Sequence, residues 1–446
     1  MINTARMKIV LLVLLTFFIN INGQSVVHPE WSYNQTIYEV NLRQFSESGK
    51  FEDFEKHLPR LKEMGVGIIW LMPIHPIGEK NRKGTLGSYY SVKDYLGINP
   101  EHGTLEDFKS LVKAIHDQEM YVIIDWVANH TSWDNPLTVE NPDFFTKDSL
   151  GNFVPPVADW ADVIDLNYDN KELWKYMTDA LVYWVKECDI DGYRCDVAGM
   201  VPLEFWLQAK KELDEIKPLF MLAEDDNPEI HAAFDMTYSW EFHGIMNRIA
   251  KGENNAADII KFLEEEKTKY RPDDFRMRFT SNHDENSWNG TVFERLGDAV
   301  EVFAVLSGLV PGMPLVYNGQ EAGLNKRLAF FEKDPIEWKE HKFSEVYKTL
   351  LNYKLNSKTL QNGKHGSGIN FISPAGDEKL LAFVREKEGE KILAVFNLSG
   401  QNIDISLNND IIKGSYRDLF NGEEADLSAE LNVSFKPWEY KVFVNK

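Results

Sequence analysis

Short apolar runs alternate with longer amphipathic stretches along most of the chain. Eight of the runs predict β-strands: Ile37–Val40, Ile68–Met72, Tyr121–Asp125, Gly192–Asp196, Leu219–Ala223, Ala233–Met236, Met277–Thr280 and Pro314–Tyr317. Apolar residues at helical spacing predict helices between most of these runs, including 51–64, 104–118, 170–187 and 291–309. Because strand–helix alternation is typical of parallel sheets, we predict an α/β fold built on a (β/α)8 barrel. A doubly wound open sheet is the alternative, but no glycine-rich phosphate turn follows the first strand.

Two stretches depart from this alternation. The segment after Asp125 is rich in Asn, Pro, Asp and Trp and too long for an ordinary connection, which predicts a short subdomain inserted after strand 3 at 131–168. Beyond Gly363 the helical spacing stops, and two apolar runs flank Lys387-Glu388-Gly389-Glu390, a pattern typical of a β-hairpin. The chain therefore divides into a barrel domain at 28–360, containing the insert, and a C-terminal all-β sandwich domain at 364–446.

The N-terminus has the pattern of a secretory signal. Arg6 and Lys8 precede an apolar run, Ile9–Ile19, that is too short to span a bilayer. We therefore predict a signal peptide at 1–23 and export to the periplasm or the medium. No later run is long and apolar enough to predict a transmembrane segment.

Composition narrows the class of partner. With 48 Lys and Arg against 70 Asp and Glu, the formal net charge of −22 disfavours nucleic acid and anionic membranes. The aromatic content of 13% makes a carbohydrate partner worth testing, since flat rings stack on sugar faces. Cys188 and Cys195, the two cysteines, form neither a disulfide framework nor a zinc pattern. The sequence indicates no oligomeric state.

Polar residues follow the predicted strands at the end where barrel chemistry takes place. They are Asp125 with Asn129 and His130, Arg194 with Asp196, Glu224, and His283 with Asp284. One polar residue at a strand end carries little weight, because exposed ion pairs are common. Several carboxylates at the same end of successive strands predict one shared acidic site.

These residue types suit double displacement at a glycosidic bond, where two carboxyl groups about 5–5.5 Å apart act on either side of the bond. Arg194 and Asp196 point to the same face of a strand, so the guanidinium is expected to lower the pKa of Asp196 and keep it ionised. Glu224 follows an apolar strand and precedes Asp225 and Asp226. Burial and this negative charge are expected to raise the pKa of Glu224 and keep it protonated.

The ordered motifs resemble those of the α-amylase family of glycoside hydrolases. The matching segments are Asp125-Trp126-Val127-Ala128-Asn129-His130, Gly192-Tyr193-Arg194-Cys195-Asp196, Glu224 after its strand, and Ser281-Asn282-His283-Asp284. In addition, 312–321 resembles the last barrel strand of that family, and Gly87-Ser88-Tyr89-Tyr90 resembles its segment with a sugar-stacking tyrosine. The similarity extends from about Trp31 to the C-terminus.

The resemblance implies a role for each matched residue. Asp196 would be the nucleophile, Glu224 the general acid/base and Asp284 the stabiliser of the transition state. The sugar site would be formed by Tyr90, His130, Arg194 and His283. The partner would be an α-glucan polysaccharide or oligosaccharide, with no organic cofactor. Asp125 is expected to organise the rim, and Trp133, Trp160 and Trp240 are candidates for lining a glucan groove.

Departures from the family pattern leave calcium and linkage preference open. Asn129 matches a calcium ligand of the family, but Asn167 replaces an aspartate that ligates calcium in many members. Gly199 and Met200 stand where many α-amylases carry a Lys-His pair that contacts sugar and calcium. A Ca²⁺ ion at Asn129 is therefore an open expectation.

The resemblance favours a retaining α-amylase that cuts α-1,4-glucan internally. Within the same family, a cyclomaltodextrinase, neopullulanase or oligoglucosidase stays open, and so does a transglycosylase. A catalytically inactive glucan-binding protein is the alternative of another class, which the presence of all three acids disfavours.

Overall fold

The structure is a computed structural model that describes residues 26–374 and 377–445. Its strands in chain order are β1 (Ile37–Val40), β2 (Ile68–Leu71), β3 (Tyr121–Trp126), β4 (His130–Ser132), β5 (Val163–Asp165), β6 (Gly192–Cys195), β7 (Phe220–Ala223), β8 (Met236–Tyr238), β9 (Phe275–Arg278), β10 (Met313–Tyr317), β11 (Asn370–Phe371), β12 (Leu380–Lys387), β13 (Glu390–Asn397), β14 (Ile403–Asn408), β15 (Gly414–Asp418), β16 (Glu424–Leu427), β17 (Glu430–Phe435) and β18 (Tyr440–Asn445). Its α-helices are α1 (Leu42–Phe45), α2 (Phe51–Glu55), α3 (Leu58–Met64), α4 (Leu105–Asp117), α5 (Leu137–Glu140), α6 (Lys171–Cys188), α7 (Leu203–Asp214), α8 (Trp240–Ala250), α9 (Ala256–Lys269), α10 (Val292–Leu296), α11 (Val300–Leu309) and α12 (Lys342–Asn356).

Eight parallel strands close into a barrel in the order β1-β10-β9-β8-β7-β6-β3-β2. Closure is complete because Ile37 in β1 pairs with Ile68 in β2 on one side and with Leu315 in β10 on the other. The predicted (β/α)8 barrel is therefore confirmed, and the alternative of an open sheet is wrong. In this order β7 lies four strands from β1, on the opposite side of the barrel.

Some predicted element bounds are wrong for local reasons. The strand expected at 233–236 is β8, three residues later, because Phe234 packs against Trp206 on the outer helix α7. The helix expected at 51–64 is divided into α2 and α3, and Pro59 lies in the first turn of the second. The helix expected at 291–309 is interrupted at Gly297, whose φ of +54° places it in the left-handed region that ends helices.

The barrel interior is filled with side chains. They include Ile37, Ile68, Trp70, Ile123, Phe220, Leu222, Met236, Met277, Met313 and Leu315, all buried. A larger apolar layer packs between the strands and the outer helices. Since the interior is a packed core, a ligand can reach the barrel only at its ends, where the loops lie.

Two further parts adjoin the barrel. After β3, the strands β4 and β5 pair antiparallel and bracket the inserted segment. Beyond α12, a six-stranded sheet of order β11-β12-β13-β18-β15-β16 and the pair β14-β17 enclose a separate apolar core in the described part of the domain. This confirms the C-terminal all-β domain.

The predicted signal peptide lies outside the described residues, and export stays a prediction. In the described ranges, no helix combines the length and the apolar character that a membrane crossing requires.

Candidate active site

The side chain of Arg194 lies at the centre of the carboxyl end of the barrel. It is fully buried, and its Nη1 donates to Asp125 at 2.9 Å and to Asp196 at 2.9 Å. Its Nη2 lies 2.8 Å from Oε2 of Glu224. The fourth partner is Tyr238, whose hydroxyl accepts from Nε at 3.1 Å. One guanidinium thus joins the ends of β3, β6, β7 and β8 and fixes three carboxyl groups around it.

Asp196 directly follows β6 and keeps one oxygen free. Its Oδ1 accepts from Arg194, whereas its Oδ2 lies 3.8 Å from Nε2 of His130. Burial raises the pKa of Asp196 to about 6, since the attraction of Arg194 does not fully offset it and Asp125 and Asp284 add to it. The prediction of a lowered pKa is therefore wrong. The physical reason is that one guanidinium is shared among three carboxyl groups, so it cannot hold each of them ionised.

Glu224 follows β7 and accepts a hydrogen bond from the backbone N–H of Val197 at 2.9 Å. Val197 has φ of +37°, a conformation that costs a β-branched residue about 1–3 kcal/mol and persists only where its surroundings impose it. Here the strained turn after Asp196 aims an amide at Glu224. The backbone at Val197 therefore fixes the position of Glu224 relative to Asp196.

The pKa of Glu224 is raised to about 7, as the sequence predicts in direction. Burial is the main cause, Arg194 opposes it, and the charges of Asp196 and Asp284 add to it. Asp225 and Asp226, from which the sequence predicts a contribution, are not among the main causes. Oδ1 of Asp225 accepts from the backbone N–H groups of Asp226 and Asn227, so this carboxylate serves its own turn.

Asp284 is held ionised by a cationic histidine. Although burial lowers the pKa of His283, Asp284 and Glu39 together raise it well above its ordinary value. Nδ1 of His283 donates to Glu39 at 2.5 Å, and its Nε2 lies 3.2 Å from Oδ2 of Asp284. Burial opposes ionisation of Asp284, but His283 outweighs it and the pKa of Asp284 is lowered.

The charges of the site do not balance if every acid is ionised. Among the described residues, the network contains five carboxyl groups, from Glu39, Asp125, Asp196, Glu224 and Asp284, and two cations, Arg194 and His283. The hydroxyl of Tyr90 connects its two halves, since it contacts both Asp125 and Nε2 of His283. Buried like charges at this spacing cannot all be ionised. At least one carboxyl group therefore keeps its proton near neutral pH, and the pKa of Glu224, about 7, is higher than those of Asp125 and Asp196, each about 6.

Tyr90 lies beside this network as a flat wall. Its ring stacks on His283 with centroids 5.4 Å apart, and its hydroxyl donates to Asp125 at 3.1 Å. Asp125 is fully buried and also accepts from Trp70 at 3.3 Å. Asp125 thus has no face toward the pocket, in keeping with the expected organising position.

His130 is a neutral hydrogen-bond donor. Burial lowers the pKa of His130 to about 3, so the ring carries one proton at neutral pH. Nδ1 lies 3.2 Å from the amide nitrogen of Asn129, which can only donate, so Nδ1 accepts and Nε2 carries the hydrogen. That N–H points toward the pocket beside Asp196.

The structure brings together the three predicted acids, Tyr90, His130 and His283 around one cavity of about 430 Å³, with Arg194 beneath it. Of the three candidate tryptophans, only Trp160 lines this cavity. The remaining lining residues are Lys83, Ser88, Asp162, Val163, Val197, Trp288, Phe330 and Phe331. Sequence reasoning missed these because they lie in loops without a periodic pattern. It also missed Glu39, although a charged residue inside a four-residue apolar strand is a usable signal.

The residues near Asn129 do not fit a calcium ion. The backbone carbonyls of 127–130 all accept hydrogen bonds from the protein: Tyr95 donates to Val127 and His130 at 3.0 Å, Tyr168 to Ala128 at 2.8 Å, and the N–H of Leu166 to Asn129 at 3.1 Å. The side-chain oxygen of Asn167 accepts from Asp169. Within 26–374 and 377–445, no group of three or more Asp, Glu, His or Cys residues is placed to hold a metal. Calcium prefers several free oxygens, so no chemical step is assigned to it.

Comparison with known proteins agrees with this geometry. Residues 18–148 and 157–358 match the family described as alpha amylase, catalytic domain, and 369–442 match the maltogenic amylase C-terminal domain. A noncanonic maltogenic alpha-amylase from Thermotoga neapolitana is 33% identical and covers 93% of this chain and 99% of its own, with a TM-score of 0.86. An alpha-amylase from Lactobacillus plantarum is 32% identical and covers 93% and 100%, with a TM-score of 0.83. A cyclomaltodextrinase from Thermoanaerobacter pseudethanolicus is 25% identical over 85% of this chain and 73% of its own.

Proposed function

This chain belongs to the α-amylase catalytic-domain family and is a glycosidase, and from that premise we propose that it hydrolyses α-1,4-glucosidic bonds of starch-like α-glucans with retention of configuration. The observation that carries the proposal is the shared guanidinium of Arg194, which holds Asp196 and Glu224 on its two terminal nitrogens. Two carboxyl groups held by neighbouring nitrogens of one guanidinium can act on the same bond, which supports the carboxyl pair that double displacement uses.

In the first step, Oδ2 of Asp196 attacks the anomeric carbon as the bond to the glycosidic oxygen breaks. Glu224 gives its proton to that oxygen, so the leaving sugar departs as an alcohol and the rest of the chain stays as an ester of Asp196. Positive charge on the sugar ring is stabilised by the ionised Asp284. Tyr90 stacks on the ring, and Nε2 of His130 donates to a ring hydroxyl.

In the second step, water attacks the anomeric carbon from the opposite face. Glu224, now a carboxylate, takes the proton of the water, and the ester bond to Asp196 breaks. Esterification removes the charge of Asp196, which is one of the causes that raise the pKa of Glu224. The pKa of Glu224 therefore falls in the intermediate, which suits its change from acid to base.

Assay of the wild-type protein on amylose, pullulan and cyclodextrin tests this proposal. We expect reducing ends to appear fastest from amylose, because it is an open chain joined by α-1,4 bonds, whereas cyclodextrin is a closed ring and pullulan also contains α-1,6 bonds. Proton NMR at early times is expected to show the α-anomer of the new reducing end first. A β-anomer would contradict retention, and cleavage confined to cyclodextrin or pullulan would favour the cyclomaltodextrinase or neopullulanase alternative. Longer products from maltotriose would favour transglycosylation.

We also propose that activity does not depend on calcium. After dialysis against EDTA, the rate on amylose and the unfolding temperature are expected to stay within error of the untreated protein, because the carbonyls of 127–130 have protein donors in place of a cation. Differential scanning fluorimetry with and without added Ca²⁺ measures the second quantity. A rise of several degrees on adding Ca²⁺ would contradict this expectation and restore Asn129 as a ligand candidate.

A further inference from the structure

Three loops meet on one side of the cavity and form what we call the wall: residues 82–88 after β2, 159–162 in the insert after β3, and 330–332 after β10. Nζ of Lys83 lies 2.9 Å from Oδ1 of Asp162 and donates to the carbonyl of Asp159 at 2.8 Å. On the other flank, the N–H of Thr85 donates to Glu332 at 2.8 Å. The first loop is thus tied to both of the others, and the wall is continuous.

Aromatic rings cover the inner side of the wall. The ring of Phe330 lies parallel to that of Tyr90 with centroids 6.3 Å apart, and Trp288 packs against Phe330 at 5.1 Å. The backbone N–H of Leu86 donates to the carbonyl of Phe331 at 3.0 Å, which fixes the two segments against each other. The cavity of about 430 Å³ lies near the lower end of the range of about 300–1,000 Å³ typical of ligand pockets. The tied loops and their rings thus bound the cavity on this side.

The topology of the barrel places this wall relative to the scissile bond. The wall rises from β2 and β10, which are the two neighbours of β1, and from β3, which lies midway between β1 and β7, whereas Glu224 follows β7 on the side opposite β1. The general acid must lie on the side of the leaving sugar, because it protonates the oxygen that departs. The sugars that stay attached to Asp196 therefore extend away from Glu224, toward the wall.

We propose that the wall limits the retained part of the substrate to a short saccharide, so that the enzyme releases short products of narrow length from the non-reducing ends of α-glucans. This inference rests on the proposed function and replaces internal cutting with attack at chain ends. In a longer substrate, the additional sugar units extend from the retained sugar toward the non-reducing end. That end faces Lys83, Asp162 and Phe331. Substrates with few units before the scissile bond fit, and longer ones collide with the bridged loops.

Maltoheptaose labelled at its reducing end tests this inference. At low conversion, wild-type protein is expected to give one or two labelled product lengths, since each cut removes the same short unlabelled piece. The variant Lys83→Ala removes the bridge to Asp162 and is expected to raise the share of longer unlabelled pieces by about fivefold. The variant Glu332→Ala, which releases the other flank, is expected to shift lengths in the same direction. Chromatography of the labelled products measures both.

Two controls separate the wall from general damage. Lys83→Arg keeps a cation within reach of Asp162 and is expected to keep the wild-type lengths. Lys93→Ala breaks bridges to Glu79 and Asp134 outside the cavity and is expected to change nothing. A broad spread of lengths from wild-type protein, or unchanged lengths in both opened variants, would overturn the inference while leaving α-glucan hydrolysis intact. Absence of hydrolysis of any α-glucan by wild-type protein would overturn the proposed function, and the inference with it.

Discussion

Replacing Asp196 by alanine is expected to lower kcat on amylose by about 10⁴-fold or more, because no other group can form the covalent intermediate. The fold is expected to survive, since Arg194 keeps its bonds to Asp125 and Tyr238. The decisive measurement uses azide with 4-nitrophenyl α-maltoside. In Asp196→Ala, azide can enter the space of the lost carboxylate and attack from the face opposite the leaving group. The product is expected to be the β-configured glycosyl azide.

The matched control is Asp225→Ala, since Asp225 adjoins Glu224 in sequence but bonds its own turn. We expect this variant to keep kcat within about tenfold of wild type. An Asp196→Ala protein that still turns over amylose at the wild-type rate would remove Asp196 as nucleophile. An α-configured azide product from the same variant would do so as well, because it requires an intact covalent intermediate.

The barrel could be predicted from the sequence because its strands are apolar on both faces. Runs such as 121–125 are buried by the interior on one side and by helices on the other, so they stand out against the amphipathic helices between them. The sequence predicts the strand β9 two residues too late, at 277–280, for the opposite reason. Its Phe275 and Met277 alternate with Arg276 and Arg278, which pair with the buried Glu266 of α9. These two arginines interrupt the apolar run, and the sequence alone does not show that the buried Glu266 compensates their charge.

The candidate site was predictable in composition but not in electrostatics. The acids could be found because each follows an apolar strand and the carboxyl ends of parallel strands meet. The pKa of Asp196 could not be predicted, since it depends on how many carboxyl groups share Arg194. One of them, Asp125, is 69 residues away from Arg194 in sequence, so the local pattern does not reveal it. Likewise, the wall is formed by loops whose contacts span most of the chain, such as Thr85 with Glu332. Local pattern carries no information about such pairs.

Replacing Glu224 by glutamine is expected to lower kcat on amylose by about 10²–10⁴-fold, because glutamine cannot protonate the leaving oxygen. The loss is expected to be much smaller on 4-nitrophenyl α-maltoside, whose leaving group departs without a proton. Glutamine keeps the shape that accepts from the N–H of Val197, so the pocket is expected to stay assembled. Glu229→Gln, at an exposed position nearby, is the control and is expected to behave as wild type.

The pH profile of this pair of proteins identifies the acid. The first step needs Asp196 ionised and Glu224 protonated, so wild-type activity is expected to rise with pH through about 6 and to fall above about 7. Because Asp196 and Glu224 titrate together, the midpoints of the two limbs describe the pair and not either residue alone. In Glu224→Gln, assayed on 4-nitrophenyl α-maltoside, the alkaline limb is expected to disappear. The reason is that this limb reports deprotonation of Glu224, and glutamine has no proton to lose in this range. Persistence of that limb in the variant would assign the proton donor to another residue. The charge balance of the site leaves a proton for one carboxyl group, and this measurement locates it.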